Sequence, residues 1–549
     1  MTQSAKRARE TLAQIWMEIF GLPEVGLDDS FYDLGGDSRS AVHLVARARR
    51  AGLDFTVKDL MVCQTIDALA ELSPVGAATA PASEVHTGNE VHAESEVHTE
   101  STYPLMPLQA RFFDSRFDDP TYFDPAHFNL TVPLEVDPGF SFEMLRDSAE
   151  RALSRHEALR MRFVPSTDGW RQQPADSAEA WYEEVAVDPR SPRWLQEMDL
   201  QVDRFHHRFD LATGPLIRFL FLNRGETEPG WLVMDVHHLV CDGISIEVLL
   251  EEIQDEYLAR LAGRPSASLP EPCSYLGHLQ ELHRQVNSPD ADGISRFWAA
   301  QPWNSVTPLP KDKPGDSRQL RYIKQIKACL DQGRTRVLTT SAARFDCSVE
   351  DMLLASLAQS LRQTGWATTF AIDICRHGRD PLPSGRDTSR LVGWLNTADP
   401  HIISSDGVAD GLPMLRSVVS QVRAFRQYET GWSELRYLSH DPELRNRLSA
   451  WPRRELYLNY QGRDISSDIM QAPFHPAVLP AGRPVPQVGE QPYQIKIAAE
   501  IRDGRLAFAL AFSTEIYEEA TIEQLSQTLS GNLTRLAAEL SAQEAVVIR

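Results

Sequence analysis

The sequence predicts a small all-α bundle joined by a flexible linker to a larger α/β unit of two lobes. Three observations predict it. Residues 5–72 carry apolar side chains at helical spacing, residues 76–102 almost lack large apolar side chains, and from residue 103 onward strand-like and helix-like runs alternate. Such alternation is the signature of a layered α/β architecture. The stretch 103–545 is too long for one core, so two lobes are expected. The expected boundaries are 1–73, linker 74–102, first lobe 103–285 and second lobe 286–549, with the crossover near 264–315.

In the first unit Leu12, Ile15, Trp16, Ile19 and Phe20 form one helical face. A turn-rich stretch and LGGDS lead into SAVHLVARARRAG, where Ala41, Val42, Val45 and Ala46 are expected to share a face. Arg47, Arg49 and Arg50 suit a last turn and Gly52 a C-cap. TIDALAEL reads as a closing helix, giving three or four helices in all.

The linker contains EVHTGN, EVHAES and EVHTES in succession. His86, His92 and His98 invite a metal reading, but a duplicated spacer explains the repeat more simply. A free chain of this length spans roughly 26–31 Å, enough to let the bundle visit several places on the larger unit.

Beyond the linker, residues 127–136, 216–222, 231–240, 370–374 and 506–512 read as strands; residues 142–159, 245–263, 349–363 and 521–540 read as helices.

The chain of 549 residues holds 55 Lys+Arg against 77 Asp+Glu, a formal net charge of −22. Nucleic acid and anionic membranes are poor partners for such a surface. The 6 cysteines are scattered without a CxxC pair, which fits neither a disulfide framework nor a zinc site. A charged N-terminus and the lack of a long apolar run give the expectation of a cytoplasmic protein with no membrane partner.

Two motifs carry chemistry. In DSFYDLGGDS, Ser38 follows two glycines at a helix start, where free N–H groups favour an anion at its hydroxyl; an N-cap serine is the plain reading. In HHLVCDG, His237 and His238 end an apolar strand, and a histidine delivered there can act as a general base. Adjacent strand residues face opposite ways, which disfavours a shared zinc. Asp242 reads as a turn-fixing carboxylate that pairs with an arginine, and Gly243 as a tight exit into the next helix.

The stretch FYDLGGDSRSAVHLVARARRAGLDFTVKDL to TIDALAEL resembles the peptidyl-carrier (thiolation) domains of nonribosomal peptide synthetases across residues 5–73. That resemblance implies 4'-phosphopantetheine on Ser38, attached by a phosphopantetheinyl transferase and loaded as a thioester by an adenylation domain acting in trans. MVCQT departs from the family pattern. HHLVCDG, YPLMPLQARFF, RHEALRMRF, FDLATGPLIRF, CRHGRD, DTSRLVGWLNTADP and YLNYQGR together resemble the condensation superfamily, nearest its epimerization branch. WLNT and the helix after HHLVCDG lean towards ordinary condensation domains. The implied fold is two-lobed and chloramphenicol-acetyltransferase-like, with His238 at a central tunnel.

In the epimerization branch a catalytic glutamate falls where this chain has Cys375. Asp373, two residues earlier, lies on the same strand face and is a candidate substitute. A buried inert cysteine is the plain reading of Cys375. Inversion at an α-carbon needs two proton carriers, whereas acyl transfer needs one histidine. The leading expectation is therefore His-assisted acyl transfer to another synthetase module or to a soluble amine or alcohol. Epimerization by a modified acid/base pair and a non-catalytic docking platform remain as alternatives.

Overall fold

The structure is a computed structural model. It describes residues 3–547 except 21, 23, 32–33, 35, 37, 54, 73–101, 115–123, 168, 189, 192, 208, 266–270, 290, 380–385, 427–430, 465–469 and 478–488. The repeat with His86, His92 and His98 lies outside the described residues.

The first unit comprises α1 (Gln3–Phe20), α2 (Ser38–Arg50), α3 (Val57–Cys63) and α4 (Ile66–Leu72). Ala8, Leu12, Ile15, Trp16 and Ile19 bury one stripe of α1 against Phe31. The described buried side chains of α2 are Ala41, Leu44, Val45 and Ala48, at i, i+3, i+4 and i+7; those of Val42 and Ala46 lie outside the described ones. Gly52 takes φ +81° after α2, and its N–H donates to the Arg49 carbonyl. The departing segment MVCQT ends α3, whose start is held by a capping box between Thr56 and Asp59.

The larger unit begins with α5 (Pro107–Asp114), β1 (Asn129–Val136), α6 (Phe142–Leu153), β2 (Met161–Ser166), β3 (Gly169–Pro174), β4 (Trp181–Ala186), α7 (Trp194–His206), β5 (Ile217–Asn223), β6 (Gly230–His237), α8 (Gly243–Leu261), α9 (Tyr275–Val286) and α10 (Ala291–Ala299). It continues with β7 (Ile323–Cys329), α11 (Gln332–Arg344), α12 (Val349–Gln363), β8 (Thr369–Arg376), β9 (Thr397–Ser404), α13 (Leu412–Arg426), α14 (Trp432–Leu438), α15 (Pro442–Ser449), β10 (Leu456–Arg463), β11 (Phe474–Pro476), β12 (Ile495–Arg502), β13 (Arg505–Ser513) and α16 (Glu519–Val547).

These strands build two large sheets, β11-β1-β6-β5-β4 and β7-β13-β12-β10-β8-β9, besides a hairpin of β2 and β3. The chain passes from the first sheet to the second between α10 and β7, then returns one strand, β11, to pair with β1. All of β6 is buried, as its continuous apolar text requires of a strand covered on both faces. The strand expected over 231–240 stops at His237, because His238–Val240 curl into a 3-10 turn and the His237 ring accepts the Leu239 N–H. The helical run expected over 142–159 also breaks, at Leu153, where His156 turns inward to meet Glu252 at 3.1 Å.

Alternation in the second sheet decides what reaches the seam between lobes. Ile372, Ile374, Leu456, Leu458, Ile495 and Ile497 point into the second core, beneath α12, α13 and α16. The residues between them, Asp373, Cys375, Tyr457 and Lys496, face the other way. Tyr457 pairs in register with both Asp373 and Lys496, and packs against the first core.

Candidate active site

His238 sits where β6 gives way to the 3-10 turn. Its Nδ1–H donates to the Cys241 carbonyl at 2.8 Å, which leaves Nε2 as the basic nitrogen. The imidazole stacks on Phe128 (5.0 Å, 10°) and leans on Trp394 (4.4 Å). Burial lowers its pKa, partly offset by these hydrogen bonds and by Asp242, while the charge of Lys496 pushes the same way as burial. The ring is therefore neutral near pH 7 and half-buried rather than sealed off.

His237 has another task. It is wholly buried, its Nε2–H donates to the Pro125 carbonyl at 2.8 Å, and burial drops its pKa to about 3. It is a neutral core group bracing the turn.

Asp242 caps α8 through the Ser245 N–H (2.9 Å) and is gripped by Arg379, whose Nη1 and Nη2 each donate to it at 2.9 Å. The Leu395 N–H and Ser245 hydroxyl donate as well. Burial alone would raise its pKa, but Arg379 and these donors hold it below the usual carboxylate range. The expected aspartate–arginine pair is thus present, and it ties the two lobes together. Gly243 differs from expectation: its backbone is not left-handed, and a Cβ there would meet nothing within 4 Å. No turn demands the glycine; its lack of a side chain leaves space at the start of α8.

On the opposite wall Asp373 is committed to other side chains. It is wholly buried; Arg454 Nε donates to Oδ1 at 2.7 Å, and Arg111 Nη2 and the Tyr493 hydroxyl each donate to Oδ2 at 2.8 Å. Burial would raise its pKa, yet the two arginines lower it below the ordinary value. Asp373, the expected substitute for the missing acid, shares a strand face with Cys375, but both of its carboxylate oxygens accept hydrogen bonds from buried partners. Cys375 is partly accessible, beside Tyr457, and burial pushes its thiol up to about 11. It is a neutral thiol, poorly matched to base chemistry near pH 7.

Among the described residues no cluster of His, Cys, Asp and Glu could hold a metal, and no helix is long and apolar enough to cross a membrane.

Ser38 opens α2, a 13-residue helix with no acidic residue in its first turn. Gly36 packs so tightly that a Cβ would lie 2.3 Å from the Phe31 ring, and its N–H donates to the Phe31 carbonyl. The glycine loop therefore folds back on Phe31 and delivers Ser38 at a helix N-terminus, a site suited to a phosphodiester. The bundle rests on the larger unit: His43 of α2 meets Glu247 of α8 at 2.8 Å, Arg463 donates to the Ile19 carbonyl at 2.6 Å, and Arg49 pairs with Asp387. His43 and Glu247 each lie only about 6–8 Å along their helices from Ser38 and from Gly243 respectively, at a rise of ~1.5 Å per residue.

A family model described as "Condensation domain" matches residues 99–547, and one described as "Phosphopantetheine attachment site" matches residues 10–73. The chain belongs to the condensation-domain family, with a carrier domain preceding it. It carries 4'-phosphopantetheine as the cofactor of that carrier domain. One linear gramicidin synthase polypeptide of Brevibacillus parabrevis is 30% identical over 541 residues, covering 97% of this chain but 7% of that protein. The chain thus spans a small part of that relative. The epimerization domain from the third module of tyrocidine synthetase B has the same fold (TM-score 0.70, 21% identity, 81% of this chain and 97% of that one). So does the condensation domain from the monacolin K polyketide synthase MokA (TM-score 0.63, 15% identity, 80% and 98%). These results agree with a nonribosomal peptide synthetase component of two-lobed α/β fold.

Sequence reading named the arginine partner of Asp242 only by type; Arg379 lies in the quoted CRHGRD. Arg111, Arg454, Tyr493 and Lys496 went unnoticed. Lys496 carried no distinct signal, because the same side of its strand also holds the charged Glu500 and Arg502.

Proposed function

We propose that this domain transfers the acyl group carried on Ser38 to an amine or alcohol. The pantetheine arm supplies the acyl group as an activated thioester. His238 Nε2 accepts the proton of the nucleophile as it attacks the thioester carbonyl; the C–S bond then breaks and the same proton passes to the departing pantetheine sulfur, leaving a free thiol and a neutral imidazole, while Phe128 and Trp394 hold the ring in place. His237 and the Asp242–Arg379 pair fix the turn that aims it. The observation that supports this reading best is the single neutral base: His238 has its Nδ1–H committed to Cys241, while Asp373 is committed to arginines and Cys375 stays protonated. Inversion at the α-carbon would need a second proton carrier on the facing wall, and neither Asp373 nor Cys375 supplies one. A docking platform would have no use for an aimed neutral imidazole. The partners of this reading are a phosphopantetheinyl transferase, an adenylation domain that loads Ser38, and the acceptor, whether a further synthetase module or a soluble nucleophile. Intact-mass measurement of the loaded protein, quenched with and without candidate amines, tests it: the acyl mass leaves Ser38 and appears on the amine, and does neither in His238→Ala. Loss of the acyl group at the same rate in both proteins refutes it.

A further inference from the structure

Lys496 is the second residue of β12 and is exposed to solvent. Its ammonium stands 5.5 Å from the centroid of Tyr457, which leans in turn on Tyr493 at 4.8 Å. Its charge acts on Cys375 on its own wall and on His238 across the seam. Water therefore reaches this group on the sheet face that looks toward the first core, while the atoms packed around it lower its pKa.

The surroundings offer the cation no counter-charge. Among the described residues no carboxylate lies within ion-pairing distance of Lys496. Nearby Glu350 is taken by Arg376, and Asp373 is shared by Arg111 and Arg454, so that cluster carries a net positive charge. His238, Cys375 and Tyr457 are neutral near pH 7. An uncompensated cation on this face, beside a second cluster of net positive charge and otherwise neutral groups, makes the local field attractive to an anion that enters the seam.

We propose that Lys496 binds a carboxylate of the substrate beside His238, either the free carboxylate of an amino-acid nucleophile or an acidic group on the acyl chain. Which partner carries the carboxylate rests on the acyl-transfer reading; the anion site itself does not.

The test has an arm without turnover. The full chain is treated with limiting trinitrobenzenesulfonate, and labelling is mapped by peptide mass spectrometry. Propionate is expected to slow labelling of Lys496 while leaving Lys324 unchanged, and propionamide to slow neither. In the turnover arm, Ser38 loaded with propionyl or succinyl pantetheine is offered glycine or glycinamide. Lys496→Met is expected to raise KM for the carboxylate-bearing partner about 10–100-fold, the worth of one charge-assisted hydrogen bond, with its neutral counterpart unchanged and Lys496→Arg restoring the preference. A preference for glycine assigns the carboxylate to the nucleophile; a preference for succinyl assigns it to the acyl chain. Protection by propionate without transfer to any amine upholds the anion site and refutes the acyl-transfer reading. Transfer that ignores both carboxylates, with no protection, overturns the inference and leaves that reading standing. Neither protection nor transfer overturns both. Uptake of α-deuterium by the loaded acyl group in deuterium oxide, lost in Lys496→Met and indifferent to carboxylates, also overturns it, by making Lys496 a proton carrier.

Discussion

Two buried arginine–aspartate ties cross the seam between the lobes. One joins Asp242 of the first lobe to Arg379, and the other joins Asp373 of the second to Arg111 of α5 and to Arg454. In chemistry they are alike, a wholly buried carboxylate held below its ordinary pKa by guanidinium groups. Their neighbours differ. Beside the first stands His238, neutral and with a free Nε2; beside the second stand a protonated thiol and an unpaired Lys496. The contrast teaches that a carboxylate near a candidate base is a brace once arginines saturate it, and that the chemistry falls to the side chain left uncommitted.

The largest test of this contrast is His238→Ala. Turnover of the loaded thioester is expected to fall by about 10²–10⁴-fold, the usual worth of a general base, with loading of Ser38 unchanged. Comparable turnover in the variant would mean that the wall with His238 has no special role.

Cutting a tie should cost stability. Arg379→Ala leaves Asp242 buried without its partner and is expected to lower unfolding stability by about 3–5 kcal/mol in a denaturant titration. Arg454→Ala is expected to cost less, because Arg111 still pairs with Asp373. A reversed order would show that the second tie is the stronger brace. His237→Ala comes next, at about 1–3 kcal/mol, since it orphans the Leu239 N–H and the Pro125 carbonyl.

Acid sharpens the distinction between the two histidines. The pKa of His237 is lowered to about 3 by burial, so between that value and the ordinary 6.5 the unfolded chain binds more protons than the folded one. Its contribution is complete above pH ~6.5 and is lost as pH falls towards 3. His238 is lowered too, so kcat/KM is expected to be flat around neutrality, with an acid limb whose midpoint lies below pH ~6.5. A midpoint above that value contradicts a desolvated base.

The smallest effect is expected at Cys375. Replacement by alanine should alter transfer little, and the wild type should take up little α-deuterium in deuterium oxide, because a thiol raised to about 11 is protonated throughout the working range. Rapid exchange abolished by Cys375→Ala would make the second wall catalytic and erase the contrast.

Much of this was legible along the chain. The helical unit, the long helix Val349–Gln363 and the strand Arg505–Ser513 follow from periodicity, and HHLVCDG placed both histidines. The return of β11 to the first sheet was not legible, since three residues carry too short a pattern. Asp373 reads along the chain as a candidate acid and Cys375 as a buried inert thiol, yet burial and two arginines immobilise Asp373 while Cys375 is partly accessible.

The sequence by itself determined which segments form helices and strands, that Ser38 opens a helix, and that His237 and His238 part ways at a strand end, because these depend on neighbours within a few residues. Only the tertiary structure decided which polar groups are committed. Arg379 meets Asp242 across 137 positions of chain and Arg111 meets Asp373 across 262, and no local periodicity encodes a partner so distant. Lys496 was left unpaired by the same packing, because the carboxylates near it had already been matched to arginines.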